Sequence, residues 1–218
     1  REMPSLARLP SLVSRAIERG KTIHVSPGSG ALSDENTATT LAGLAVLDYL
    51  AENGCASGVP PLVTVADPMV LPAAQDSLRQ AFTRHRRQDE FQLTQVEVIA
   101  PQPVIYAIGA STRLDTQETA ANVMLGSFGP EALLLAGAAA EKGIFQVAGA
   151  SDPQAMAVLV ATADDPVIGE ELYAVPAYLD RQPAHLASLQ AQDAVRIGVV
   201  VLILVAVLLR TVFNVALF

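Results

Sequence analysis

"KTIHVSPGSGALSDENTATTLAGLAVLDYLAENG", residues 21–54, changes its hydrophobic period partway along, and that change decides the fold class. "KTIHV" alternates in the manner of a short strand, and "SPGSG" supplies the residues of a turn. From Asp34 onward Leu41, Leu44, Leu47 and Leu50 fall at helical spacing until Asn53-Gly54, which predicts a helix over 34–52. Strand, glycine turn and helix form the unit from which parallel sheets are built.

The same alternation continues downstream. "PLVTVADP" (61–68) reads as a buried strand closed by Pro68, "LPAAQDSLRQAFTRHRR" (71–87) as a helix with a basic last turn, and "LTQVEVIA" (93–100) as a strand. "PVIYAIGAS" (103–111) reads as another strand, after which Asp115 and Glu118 form a capping box for a helix through Leu125. Pro130 takes the first position of the next helix, Gly143 ends it, and "IFQVAGAS" (144–151) is the fifth strand. Asp152-Pro153 opens a further helix, and helices over 170–178 and 185–196 lead into the tail. The expectation is an α/β domain with a mainly parallel, about five-stranded sheet and helices on both faces. "IYAIGAS" (105–111), "FQVAGAS" (145–151) and more loosely "HVSPGSG" (24–30) end alike, as an internal duplication or as the ordinary needs of strand-to-helix turns. Either origin gathers these turns at the carboxyl ends of the strands, where open parallel sheets bind ligands.

Those turns are where chemistry is sought. A Walker loop is absent, because Ser33-Asp34-Glu35 stands where Gly-Lys-Ser/Thr is required, and two carboxylates at a helix start compete with an anion. The dinucleotide fingerprint is half present: Gly28 and Gly30 match, Ser33 replaces the third glycine, and Pro27 removes one N–H. Asp67 ends the second strand and could hold a ribose hydroxyl, although it follows Gly28 by 39 residues rather than about 20. Ser26, Gly28, Ser29, Gly30 and Asp67 are therefore the candidate ligand contacts, against a structural reading in which Ser33 or Asp34 caps a helix and the glycines only turn the chain. His24, His85 and His185 are scattered and Cys55 has no partner nearby, so no metal site is expected and no cofactor is assigned. There is no G-x-S-x-G elbow. "GSFGPE" (126–131) reads as a link, "TRHRR" (83–87) as a basic last turn rather than an anion site, and the pairs Asp164-Asp165 and Glu170-Glu171 as solvated faces. No catalytic residue emerges.

The two ends of the chain suggest location. Ile197–Leu209 carries no charge, yet thirteen residues span only ~20 Å of a ~30 Å hydrocarbon layer. Continued through Arg210 and Asn214 to Phe218, the helix reaches about 33 Å and becomes a candidate transmembrane segment. Val, Ile and Leu occupy every face of it, Ile197, Val201, Leu204, Leu208 and Phe213 meeting lipid and Arg210 snorkelling or pairing; the alternative is a buried core helix. Residues 5–19, "SLARLPSLVSRAIER", are amphipathic and suit either a membrane surface or the domain itself. The organisation expected is thus a basic segment over 1–21, the α/β domain over 22–180, a juxtamembrane helix over 181–196 and the span over 197–218. Basic residues near the chain start and Arg181 and Arg196 beside the tail place the domain in the cytoplasm by the positive-inside rule. A net charge of −8 argues against nucleic acid as a partner, and one cysteine excludes an intramolecular disulfide and fits a reducing compartment. The chain begins at Arg1 rather than Met, so an upstream segment, a further membrane helix included, stays open.

In combination, "IHVSPGSG", "TTLAGLAVLDYLAE", "VTVADP", "ANVMLGSFGPEALLLAG", "QVAGASDP", "GEELYAVPAYL" and "SLQAQDAVR" resemble a family of uncharacterised bacterial membrane-anchored proteins, a domain of unknown function, over roughly 22–209. The resemblance brings no catalytic residues with it. It implies a membrane location and marks Ser29, Asp67, Asn122, Ser127, Glu131 and Glu171 as places to look for a shared site. Two functions are expected to compete. One is a non-enzymatic membrane-anchored scaffold that self-associates or joins a larger complex, with small-residue helices such as "EALLLAGAAAEKG" suited to close packing. The other is a membrane-tethered enzyme or sensor taking a nucleotide-like ligand at the Gly28–Gly30 turn.

Overall fold

The computed structural model describes residues 8–169, 171–179 and 183–213, with side chains at all of these except 176, 183–192 and 209–213. The chain falls into two compact units that part after Leu179. In the first, helices and strands alternate as α1 (Leu9–Arg19), β1 (Thr22–Gly28), α2 (Thr37–Ser57), β2 (Leu62–Val65), α3 (Leu71–Arg84), β3 (Val96–Val98), α4 (Pro103–Thr116), β4 (Thr119–Ser127), α5 (Ala132–Glu141), β5 (Phe145–Ala150), α6 (Pro153–Thr162), β6 (Asp165–Pro166) and α7 (Glu171–Leu179). The strands form one six-stranded sheet in the order β3-β2-β1-β4-β5-β6, with every neighbouring pair parallel. The α/β class and the parallel sheet are as the alternating periods require. The order reverses between β1 and β4, as in doubly wound dinucleotide folds.

Alternate residues of the strands feed two cores. Ile23, Val25, Val63, Val65, Val123 and Val147 pack with buried side chains of α1, α2, α3 and α7. Met124, Ala148 and Ala150 pack on the opposite face with Tyr106, Leu114, Leu135 and Leu159 of α4, α5 and α6. α1 lies in the first core through Leu9, Leu12, Val13 and Ala16, so the amphipathic stretch is docked on the domain over its described part; residues 1–7 lie outside the described residues. Arg15 stacks 4.8 Å from the centre of the Phe145 ring, and Arg8 reaches Asp165 at 3.6 Å.

Two expected elements exchange identity. "PVIYAIGAS" lies within α4, not a strand: Pro103 stands in its first turn, and Tyr106, Ala107, Ala110 and Leu114 are buried at helical spacing. The helix expected from Asp115 to Leu125 is instead the end of α4 followed by β4, a central strand buried at all nine positions. A strand covered on both faces shows no alternation, and its Ala-Ala-Asn-Val-Met-Leu run mimics a helix. With β6 added, the sheet has six strands rather than five. The Gly-small-Ser echoes separate accordingly, one in α4 and one at the end of β5, so they are not a repeated structural unit. α2 passes through Gly54, where a side chain would crowd the Val59 carbonyl, and ends at Gly58 in the left-handed conformation (φ 79°). Leu41 faces solvent. Gly143 (φ 63°) ends α5, and Asp152 caps α6 by accepting from the N–H groups of Gln154 and Ala155 at 2.8 and 2.9 Å.

The second unit is α8 (Pro183–Phe213), a continuous helix that includes the stretch expected to lie beside the membrane. From Val195 to Leu208 its large apolar side chains are between 50% and 67% exposed, Ile197, Val201, Leu204 and Leu208 among them. Among the described residues no helix is long and apolar enough to cross a membrane. The side chains of Arg210 and Phe213 lie outside the described ones, as do residues 214–218 altogether.

Candidate functional site at the sheet's switch point

The reversal of strand order brings the ends of β1 and β4 together. Gly28 pairs with Ser127 in register, across an irregularity that accommodates Pro27 inside β1. The approach is so close that a β-carbon on Gly28 (φ 97°) would overlap the Ser127 carbonyl, and one on Gly126 (φ 155°) the Pro27 carbonyl. Ser29 N–H donates to the Ser127 carbonyl at 2.7 Å. Glu131, at the start of α5, accepts from the Ser29 hydroxyl at 3.1 Å and from Gly129 N–H at 2.9 Å. Its carboxylate therefore ties the turn after β1 to the turn after β4, while the first N–H groups of α5 bond to the carbonyls of Gly129, Pro130 and Glu131. Asp34 organises the turn before α2, accepting from Asn36 N–H at 2.8 Å and Ala31 N–H at 3.4 Å; desolvation pushes its pKa up, but its hydrogen bonds, those from Asn36 first, together outweigh it and hold the carboxyl below the usual range. Asn36, not Ser33 or Asp34, holds the N-cap position of α2.

Of the sequence candidates, Gly28, Ser29, Gly30, Ser127 and Glu131 meet at this point. Thr40 was not among them, yet its hydroxyl is fully buried without a partner among the described residues. With the Ser127 hydroxyl it flanks Gly30, each 2.7 Å from where a β-carbon would sit. Asp67 follows β2 by two residues on the same edge and accepts from Met69 N–H at 2.8 Å, organising the turn into α3. Glu171 opens α7 after β6, which lies three strands from β1.

Ser26 and Asn122 point elsewhere, into a buried polar row beneath α4 and α5 that links four strands. Gln146 Nε2 donates to the carbonyls of Ala136 (3.0 Å) and Thr162 (3.2 Å), so its Oε1 is the acceptor for Asn122 Nδ2 at 3.3 Å. Asn122 Oδ1 must then accept from His24 Nδ1–H at 2.7 Å, and His24 Nε2 accepts from the Thr64 hydroxyl at 2.9 Å. Tyr106 donates to the Thr64 carbonyl at 2.9 Å and receives the Ser26 hydroxyl, which in turn accepts from Gly28 N–H at 3.3 Å. Donation runs in two segments that meet at Thr64, one from Gly28 N–H through Ser26 and Tyr106 to the Thr64 carbonyl, the other from the Thr64 hydroxyl through His24, Asn122 and Gln146 to the carbonyls of Ala136 and Thr162. Burial holds His24 neutral, its pKa pushed down to about 4 against the pull of Asn122, and pushes the Tyr106 hydroxyl up to about 12. With both ring nitrogens engaged, His24 is a structural histidine. The sequence signal for the row is polar residues set inside four apolar strands: His24 and Ser26 in β1, Thr64 in β2, Asn122 in β4 and Gln146 in β5.

Reactive groups elsewhere are similarly spoken for. Burial raises the Cys55 thiol to about 11, which leaves it unreactive. Arg84 and His85 meet Glu52 at 3.0 and 2.9 Å, and Arg87 holds Glu90 and the Cys55 carbonyl, so the "TRHRR" turn has internal partners. Among the described residues no three His, Cys, Asp or Glu side chains converge as a metal site needs. An open cleft of about 460 Å³ runs beside α3, lined by Pro72, Arg79, Phe91 and Leu93, away from the switch point.

Neither a curated protein nor a solved structure matches the chain. A family model described as "Domain of unknown function (DUF6754)" matches residues 1–217.

Proposed function

We propose that this chain, which belongs to the DUF6754 family, is a membrane-anchored, non-enzymatic assembly domain: α8 enters the lipid, and the α/β unit self-associates on the cytoplasmic side. The observation that carries the reading is the surface of α8. From Ile197 to Leu208 it exposes Val, Ile and Leu on every face with no polar stripe for water. The described side chains of α8 cover 193–208, short of the ~20 residues a span needs, while its backbone continues to Phe213; residues 214–218, which the sequence adds to the span, lie outside the described residues. Arg196 at the near end supports the cytoplasmic placement of the domain. The closed switch point supports assembly over catalysis, since the groups that would bind or activate a substrate bond to one another.

The test is fractionation of membranes carrying the full chain, washed at alkaline pH, followed by sizing of the detergent extract. Retention in the pellet and a mass above the monomer are expected. Release into the supernatant overturns the anchor, and a strict monomer across concentrations overturns the assembly.

One observation favours a second reading, a ligand held at the switch point: the strand order, together with the unpartnered Thr40 hydroxyl beside Gly30. Because Glu131 and Asp34 already occupy the turn donors, titration calorimetry with NAD or ATP is expected to give no heat of binding. Micromolar affinity for either would establish the ligand reading.

A further inference from the structure

The two helical layers differ in a way the fold does not require. α1, α2 and α3 carry Arg15, Glu18, Asp48, Glu52, Asp76 and Arg79 along their lengths, as water-facing helices do. α4 has no charge before Arg113, α5 none before Glu141, and α6 none at all. Their outer faces instead present Val104, Ile105, Ile108, Leu133, Leu134 and Val160, each between 43% and 54% exposed. α5 packs between α4 and α6, so these side chains form one surface with α5 at its centre. We propose that this face is the contact surface for a second copy of the chain, joined about a two-fold axis through the middle of α5 with the helices antiparallel. The inference deepens the assembly reading and rests on it.

Three observations select a second copy as the occupant. Six half-exposed side chains with the alanines between them offer on the order of 400 Å² of apolar surface, comparable to the largest patch on a typical monomer, which is often functional. Framed by the polar ends of three helices, it approaches the ~800 Å² per partner of a stable dimer. Secondly, the chain carries a net charge of −8, so copies repel one another over most of their surface and can meet where charge is missing. In an antiparallel arrangement Glu131 and Asp152, at the helix starts of one copy, lie toward the helix ends of the other, where Arg113 and Lys142 are each paired to an acid of their own copy and Glu141 stands beside them, so shape and apolar area rather than charge set the orientation. The helix dipoles then oppose favourably. Thirdly, Gly137 sits mid-way along α5 with nothing within 4 Å of where its β-carbon would be. It leaves a notch one turn from Leu133 and Leu134, into which a leucine of the partner can seat. A lipid surface fits less well, because anionic headgroups would meet Glu131 and Asp152 with no basic rim to hold them.

The experiment uses the full chain in detergent. Gly137→Cys fills open space and places a thiol at the axis, whereas the native Cys55 is buried. Mild oxidation is expected to give a disulfide-linked dimer from Gly137→Cys and none from Gln80→Cys on the exposed face of α3. Adding Leu134→Asp is expected to reduce the cross-link at least tenfold and shift the sedimenting mass toward monomer, with an unchanged circular-dichroism melt because Leu134 lies at the surface. A chain that stays oligomeric with no Gly137→Cys cross-link, or with a cross-link indifferent to Leu134→Asp, overturns this surface while leaving assembly standing. A wild-type monomer at all concentrations overturns both. Loss of vesicle binding by the Leu134→Asp variant with unchanged mass assigns the face to lipid and overturns the second copy.

Discussion

His24 shows how a single buried side chain sets a pH limit on the fold. Its pKa is about 4 in the folded chain against 6.5 when exposed, and its ring faces Asn122 and Thr64, neither of which titrates. The unfolded chain therefore binds the proton first. Stability begins to fall as pH drops below about 6.5 and has lost about 3 kcal/mol from this residue by about pH 4. Urea midpoints measured at pH 7 and 4.5 are expected to show that loss, and His24→Gln to flatten the slope whatever it costs at neutral pH. Two glycines give a sharper contrast. Gly28→Ala drives a β-carbon into the Ser127 carbonyl at a φ of 97°, and is expected to cost at least about 3 kcal/mol or prevent folding. Gly137→Ala meets nothing within 4 Å in a helix interior, and is expected to raise stability by up to about 1 kcal/mol in a thermal melt.

At the scale of elements, the α6 cap is the simplest local device to test. Asp152 accepts two N–H groups at the start of the helix, so Asp152→Ala is expected to cost about 1 kcal/mol in a denaturant titration, and Asp152→Asn much less. That cap was legible as Asp-Pro before an apolar run, as were β1, β2, β5 and the glycine that ends α5, because each is marked by local turn chemistry. α4 and β4 were exchanged because both are apolar almost throughout. "PVIYAIGAS" holds β-branched residues that face outward on a helix, and "TAANVML" holds helix formers that tertiary burial forces into a central strand. The site was partly legible for the same reason: Gly28 and Gly30 are turn residues with a local signature, whereas Ser127 and Glu131, in a stretch that reads as a link, were marked only by the family resemblance. Thr40 and the polar row join residues up to 98 positions apart, as His24 and Asn122 are, and only the strand order brings them together.

At the scale of the whole molecule, the two units separate two kinds of stability. Among the described residues, the unit ending at Leu179 carries both hydrophobic cores. α8 exposes its apolar side chains from Val195 to Leu208, and at ~25 cal/mol per Å² such a surface is costly to leave in water. Replacing both Val201 and Leu204 by Asp puts two carboxylates one turn apart in the middle of that surface, each opposing entry into lipid by about 2.5–3.5 kcal/mol. The double variant is expected to move from the alkaline-washed membrane pellet to the supernatant with the melting temperature of its α/β unit unchanged. If it stays in the pellet, the anchor lies elsewhere in the chain. If the unit melts earlier, α8 is covered by protein rather than lipid, because only a helix packed against the domain would transmit the substitution to its cores.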